Sequence, residues 1–198
     1  PAATYLGYSL ESVSCSSESD AVWQNTVIGG DKEDLNGHLL YPDGAPRYRI
    51  LFVCGGKATK HSNSLGVECR ERMKDFVAAG GSYVGTCAGA FFASSSNEYY
   101  LHLWPGVAKR TGISQSHMGL DINYDSPLLK YCSFGGDNYV ANVRHNGGCY
   151  AEDWPVGTVL LAKYDYPQKP EINGKPAAWA YKQIPYSGRI VIVGSHPE

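Results

Sequence analysis

The stretch from Tyr48 to Phe92 leaves this chain the least freedom. Tyr48 to Cys54 is a mostly apolar run ending in Gly55-Gly56, the pattern of a buried strand that enters a tight loop. Between Gly66 and Ala79, Cys69, Met73, Phe76 and Val77 recur at i, i+4, i+7 and i+8, with Glu68, Arg70, Glu71, Arg72 and Lys74 on the other side. That spacing predicts a helix, which Gly80-Gly81 stops. Ser82 to Thr86 is short and β-prone, and it runs straight into Cys87-Ala88-Gly89-Ala90-Phe91-Phe92, a turn and an apolar helix start. Strand, helix, strand, turn and helix in this order call for a parallel sheet covered by helices on both faces.

From Asn97 to Pro185 the signals change. Tyr139 to Val143, Thr158 to Ala162 and Ala177 to Tyr181 read as strands separated by Gly, Pro, Asn and Asp turns, so residues 97–185 are expected to form a mostly antiparallel, β-rich excursion. Gly188 to Gly194 is a last buried strand, delivering Ser195-His196-Pro197-Glu198 at its carboxyl end, where ligands of open α/β sheets bind. In the first 45 residues, Thr4 to Leu10 is compatible with a strand and Ala21 to Ile28 with a helix. The 198 residues are enough for one domain with an ordinary hydrophobic core, and no repeat or charge block divides them.

Charge and composition narrow the function. With 17 Lys+Arg against 19 Asp+Glu the net charge is −2, and without a basic block a nucleic-acid or anionic-membrane partner is not expected. The apolar runs are far below the ~20 residues a bilayer-crossing helix needs. Only 18% of residues are charged while Tyr (15) and Gly (23) are abundant, and the chain opens at Pro1-Ala2-Ala3. A secreted or extracytoplasmic location is therefore expected, with the cytoplasm as the alternative. The absence of any Asn-x-Ser/Thr acceptor gives secretion no support.

Gly85-Thr86-Cys87-Ala88-Gly89 has the form of a nucleophile elbow, in which the central residue is exposed on a sharp turn between strand and helix. A cysteine at a helix amino terminus is favoured as the thiolate. Alone, the pentapeptide also fits an ordinary packed turn. Gly55-Gly56 follows the strand expected beside Ser82–Thr86, so its amides and that of Ala88 are candidates for an oxyanion hole. His196 is the candidate base, and Glu198, two residues on, the carboxylate that orients it.

These segments, Tyr48–Cys54 with Gly-Gly, Gly80–Ala90 and Gly188–Glu198, resemble the class I glutamine amidotransferase-like superfamily, and within it the domain named after the amino-terminal region of biotin-protein ligase. Softer agreement falls at Leu103-Trp104-Pro105-Gly106 and Asn146-Gly147-Gly148. The resemblance implies a flavodoxin-like three-layer fold with a mainly parallel central sheet, and a Cys87-His196-Glu198 triad. Two departures stand out. Ala90-Phe91-Phe92 follows the elbow where class I glutaminases usually carry a Gln, which weighs against glutamine as substrate, and Cys54 stands where relatives often have Pro. Nothing in the chain resembles a biotin-binding catalytic domain, so ligase chemistry is not implied.

Other constellations carry less. The six cysteines contain no C-x-x-C, no H-E-x-x-H occurs, and neither a metal nor an organic cofactor is called for. Gly55-Gly56-Lys57-Ala58-Thr59 lacks the frame of a phosphate loop. His38, His61, His102, His117 and His145 read as surface or hydrogen-bonded structural residues, and Cys54 as a buried, inert thiol rather than a redox partner of Cys87. Tyr99, Tyr100, Trp104 and His117 either line a pocket above Cys87 or pack. Cys132 and Cys149 are a candidate disulfide in an oxidising compartment. The expected function is cysteine-dependent hydrolysis or transfer of an amide-bonded acyl group, on a small-molecule or peptide substrate, through a thioester. The alternatives are a binding or structural protein that keeps the scaffold, and a glutaminase subunit that feeds a partner.

Overall fold

The computed structural model describes residues 7, 9 and 39–197, so the expectations for the first 38 residues, and those on Glu198, lie outside the described residues. Strand β1 (Ile50–Val53) leads into α1 (Ala58–Ala78), then β2 (Ser82–Thr86) and the short α2 (Ala88–Ala93). Strands β3 (Ala108–Arg110), β4 (Ser116–Ile122), β5 (Tyr139–His145), β6 (Cys149–Ala151), β7 (Val159–Asp165), β8 (Pro176–Tyr181) and β9 (Ile190–Val193) follow, with two 3-10 turns between β4 and β5.

Helix α1 begins eight residues before the periodic stretch that predicts it. Its first turns bury Ala58, Ser62 and Leu65, of which Leu65 alone is a large apolar residue, too few to register as an apolar stripe. Gly66, at φ 65° and ψ −177°, kinks the helix where the two parts join. Gly80, at φ 109°, ends the segment in a conformation that suits glycine best.

Among the described residues the main sheet has seven strands in the order β1-β2-β9-β8-β7-β4-β5, beside a two-stranded ribbon of β3 and β6. Strands β1, β2 and β9 are parallel, with Val53 opposite Gly85 and Thr86 opposite Val193. The pairings from β9 out to β5 are all antiparallel. This corrects the expectation of a mainly parallel, flavodoxin-like sheet: the fold is α/β with a mixed sheet. The excursion does not stand apart from the sheet but continues it. A parallel neighbour needs a crossover of a dozen or more residues. Helix α1 supplies one between β1 and β2, whereas shorter connections such as the turn from β8 to β9 leave only antiparallel pairing.

Strand β9 shows how the two faces differ. Ile190 and Ile192 join Leu51, Tyr83 and Trp179 under α1 and α2, with Phe76, Val77 and Met73 from the helix. Val191 and Val193 alternate to the other face and pack with Met118, Leu120, Leu161 and Tyr164. Trp104 and Trp179 are both fully buried with ring centroids 5.0 Å apart, and the Trp104 indole N–H donates to Thr158 Oγ1 at 2.9 Å. Trp104 therefore packs and does not line a pocket. Cys132 is an exposed free thiol and Cys149 a fully buried one, which excludes the expected disulfide here. Burial also pushes the Cys149 thiol far up, away from ionisation. Cys54, expected to be buried, is exposed at the end of the edge strand.

Candidate active site

Cys87 sits between β2 and α2 with φ 48° and ψ −102°, a backbone conformation that a residue with a side chain seldom adopts. Neighbours on both sides hold it there. Its N–H donates to Val193 O at 2.9 Å, and its carbonyl accepts the first helical bond, from Phe91 N at 3.2 Å. The two elbow glycines are needed for a reason other than the expected turn, since neither has a positive φ. A Cβ on Gly85 would stand 2.7 Å from Gly89 C, and one on Gly89 would press on Val53 O. Both positions thus let α2 lie directly on the ends of β1 and β2. The buried Tyr83 hydroxyl donates to Gly89 O at 2.8 Å and ties the helix down.

His196 follows β9, and Gly55 follows β1. These strands flank β2, yet the imidazole of His196 lies against Gly55: a Cβ there would be 2.9 Å from Nδ1 and 3.4 Å from Nε2. The carboxyl end of β2, where Cys87 stands, lies between the two strands that His196 and Gly55 follow. The backbone of His196 is fixed by its N–H, which donates to Arg144 O at 2.8 Å. Cys87, His196, Gly55, Gly56 and Ala88 are therefore brought to one edge of the sheet, whereas Glu198 is outside the described residues.

A cleft of about 850 Å³ opens at this edge, lined by Cys87 and Ala88, by Gly56 and Lys57, and by Tyr100 and Arg110 among others. Gly56 and Ala88 face it, while Gly55 serves as the seat of the His196 ring. Of the aromatic candidates Tyr100 lines the cleft; Tyr99 is exposed. The ring of His61 lies beside Gly56 and is tilted toward Phe92, and its Nε2 is buried without a hydrogen-bond partner among the described residues. His102 is an exposed structural residue, with Nδ1 3.2 Å from Ser95 Oγ.

Two neighbouring residues complete the surroundings. The Cys87 thiol donates to Asn146 O at 3.7 Å, and Asn146 also lines the cleft. His145 is fully buried, with Nδ1 2.9 Å from Ser195 Oγ and Nε2 2.6 Å from Thr111 Oγ1. It holds the segment before His196 against the segment that meets the Cys87 sulfur. Burial, and secondarily the nearby His196, lower the His145 pKa to about 4, so the ring stays neutral in ordinary solution. Reading His145 as a hydrogen-bonded structural residue anticipates its bonds but not its place under the site. The sequence signal was the Asn146-Gly147-Gly148 turn after it. Among the described residues no group of His, Cys, Asp and Glu is arranged to hold a metal, and no helix is long and apolar enough to cross a membrane.

The fold is similar to that of a solved glutamine amidotransferase, with a TM-score of 0.52 at 15% identity over 75% of this chain and 70% of that one. A structure from Thermoplasma acidophilum assigned as a GMP synthase subunit gives 0.51 at 16% identity, over 76% of this chain and 64% of that one. The shared feature is the fold of class I glutamine amidotransferase-like structures. Residues 44–104 match the family described as biotin-protein ligase, N terminal. Biotin-protein ligase of Schizosaccharomyces pombe is 24% identical over 174 residues, 75% of this chain. An uncharacterized protein of Chlamydia muridarum is 28% identical over 185 residues, 83% of this chain. The chain spans 66% of the length of the Chlamydia protein and 25% of that of the yeast ligase.

Proposed function

We propose that the protein is a cysteine-dependent acyl-transfer enzyme that cleaves an amide bond through a thioester. The observation that carries this reading is a Cys87 held in a strained elbow beside an open cleft, at the end of a strand flanked by those that His196 and Gly55 follow, with the His196 ring against Gly55. Strain retained by surrounding structure is characteristic of functional positions. His196 takes the thiol proton as the sulfur attacks the carbonyl carbon, and the N–H groups of Gly56 and Ala88 donate to the oxyanion. The C–N bond then breaks, the amine leaves with the proton from the imidazolium, and water releases the acid from the thioester. Glu198, two residues beyond His196, is assigned by spacing to orient the imidazole.

Iodoacetamide labelling with peptide mapping tests the reading. Cys87 is only 5% exposed and Cys132 is exposed, so accessibility alone favours Cys132. The expected result is the reverse: Cys87 reacts roughly tenfold faster, and His196→Ala abolishes the advantage. Slower labelling of Cys87, unaffected by His196→Ala, would mark the protein as a binding scaffold that retains the fold alone.

A further inference from the structure

Among the described residues, the charges that line the cleft are of one sign. Lys57, Lys109 and Arg110 contribute to its wall, and among the described residues no Asp or Glu does. Lys109 is neutralised by Glu152 at 2.9 Å. Lys57 and Arg110 make no ion pair among the described residues, although they approach the cleft from separate parts of the chain, the loop after β1 and the end of β3. Both are exposed, and each is near a buried alanine in the chain, Ala58 or Ala108, that anchors its backbone. Helix α1, which starts at this wall, has no acidic residue in its first turn and no side-chain cap at Lys57. The charge of Arg110 also reaches Tyr100, opposing the effect of burial on that phenol.

Two uncompensated cations beside one concave site repel each other and concentrate positive potential over the sulfur. A neutral amide gains nothing from that field, and a zwitterionic substrate such as glutamine finds no carboxylate among the described lining residues for its ammonium group. Building on the acyl-transfer reading, we propose that the acyl group presented to Cys87 carries an anionic substituent, a carboxylate or a phosphate, held by Arg110 and Lys57. The planar fork of Arg110 sets the orientation of that anion, and Lys57 adds a flexible point charge. Both are specificity-determining residues; neither takes part in bond making.

Iodoacetate and iodoacetamide differ by one charge and share a leaving group. The ratio of their rates at Cys87, divided by the same ratio at Cys132 in the same molecule, isolates the field of the cleft, because any change in thiolate fraction cancels. A normalised preference for iodoacetate of about tenfold is expected, falling roughly threefold in Arg110→Gln and in Lys57→Gln and shrinking with added salt. Arg110→Lys, which keeps the charge, retains most of it. A normalised ratio of one, with Cys87 still outpacing Cys132 toward iodoacetamide, overturns the anion site and leaves acyl transfer standing. Slow reaction of Cys87 with iodoacetamide overturns acyl transfer itself. Protection of Cys87 from iodoacetamide by succinate or by inorganic phosphate separates carboxylate from phosphate, and protection by neither at tens of millimolar counts against the site.

Discussion

The ring of His196 occupies the space in which a side chain at Gly55 would begin. A methyl group on Gly55 would stand 2.9 Å from Nδ1 and closer still to Cε1, so alanine at this position forces the imidazole or the loop to move. Gly55→Ala is expected to reduce the iodoacetamide reactivity of Cys87 about as far as His196→Ala does, roughly tenfold. Gly55 lies at the end of an edge strand, so the melting temperature should drop by no more than a few degrees. Full reactivity in a folded Gly55→Ala protein would show that the ring is not the base.

Backbone strain at Cys87 is separable from the loss of its sulfur. At φ 48° and ψ −102° an alanine retains the strain and a glycine does not. Both variants delete the thiol, so their difference reports the elbow alone. Cys87→Gly should be the more stable of the two by about 1 kcal/mol, opposite to the usual order of these residues. Chemical denaturation of both proteins measures it, and an alanine variant of equal or higher stability would mean that the turn is relaxed.

Gly89 is constrained by contact. An added Cβ would run into Val53 O and lie 3.1 Å from Val53 Cβ, and α2 is held in place by the Tyr83 hydroxyl. Gly89→Ala should therefore cost about 3 kcal/mol or more, since neither partner is the free end of a side chain. Urea unfolding provides the number. A cost below about 1 kcal/mol would imply that α2 can slide off β1.

Acid should destabilise the protein through His145. Its pKa is about 4 when folded and 6.5 ordinarily, so between these values the unfolded chain binds a proton that the folded chain refuses. The contribution is intact above pH 6.5 and is lost progressively as the pH falls toward 4, by an amount on the order of 2 kcal/mol. Other groups titrate in the same range, so the comparison is with His145→Gln. Stability curves of the two proteins from about pH 7 to about pH 4 should converge on acidification; parallel curves would exclude the effect.

The elements legible in the residues are those whose signal is local. Ser82–Thr86 emerges as β2 with unchanged limits, and Gly188–Gly194 contains β9, because the first is a short β-prone stretch and the second a continuous apolar run, and neither strand has an exposed position. The same logic fails for β4, where His117, Gly119 and Asp121 interrupt the apolar positions of a strand with one exposed face. It fails again for β3 and β6, which at three residues each are too short to carry a period. Yet β3 places Arg110 in the cleft, and the turn before β6 brings Asn146 to Cys87, 59 residues away in the chain.

The residues alone determined that a cysteine would sit on a sharp turn after a buried strand, and that a histidine would end another such strand, because apolar runs and small residues at fixed spacing are properties of the chain. Tertiary structure decided everything that depends on which strands become neighbours. Placing β2 between β1 and β9 sets Cys87 between the strands that Gly55 and His196 follow, and antiparallel pairing beyond β9 brings His145 to Ser195, the residue before His196. Pairing partners and strand direction follow from how the whole sheet buries its two faces, an energy shared among distant segments that no single segment records.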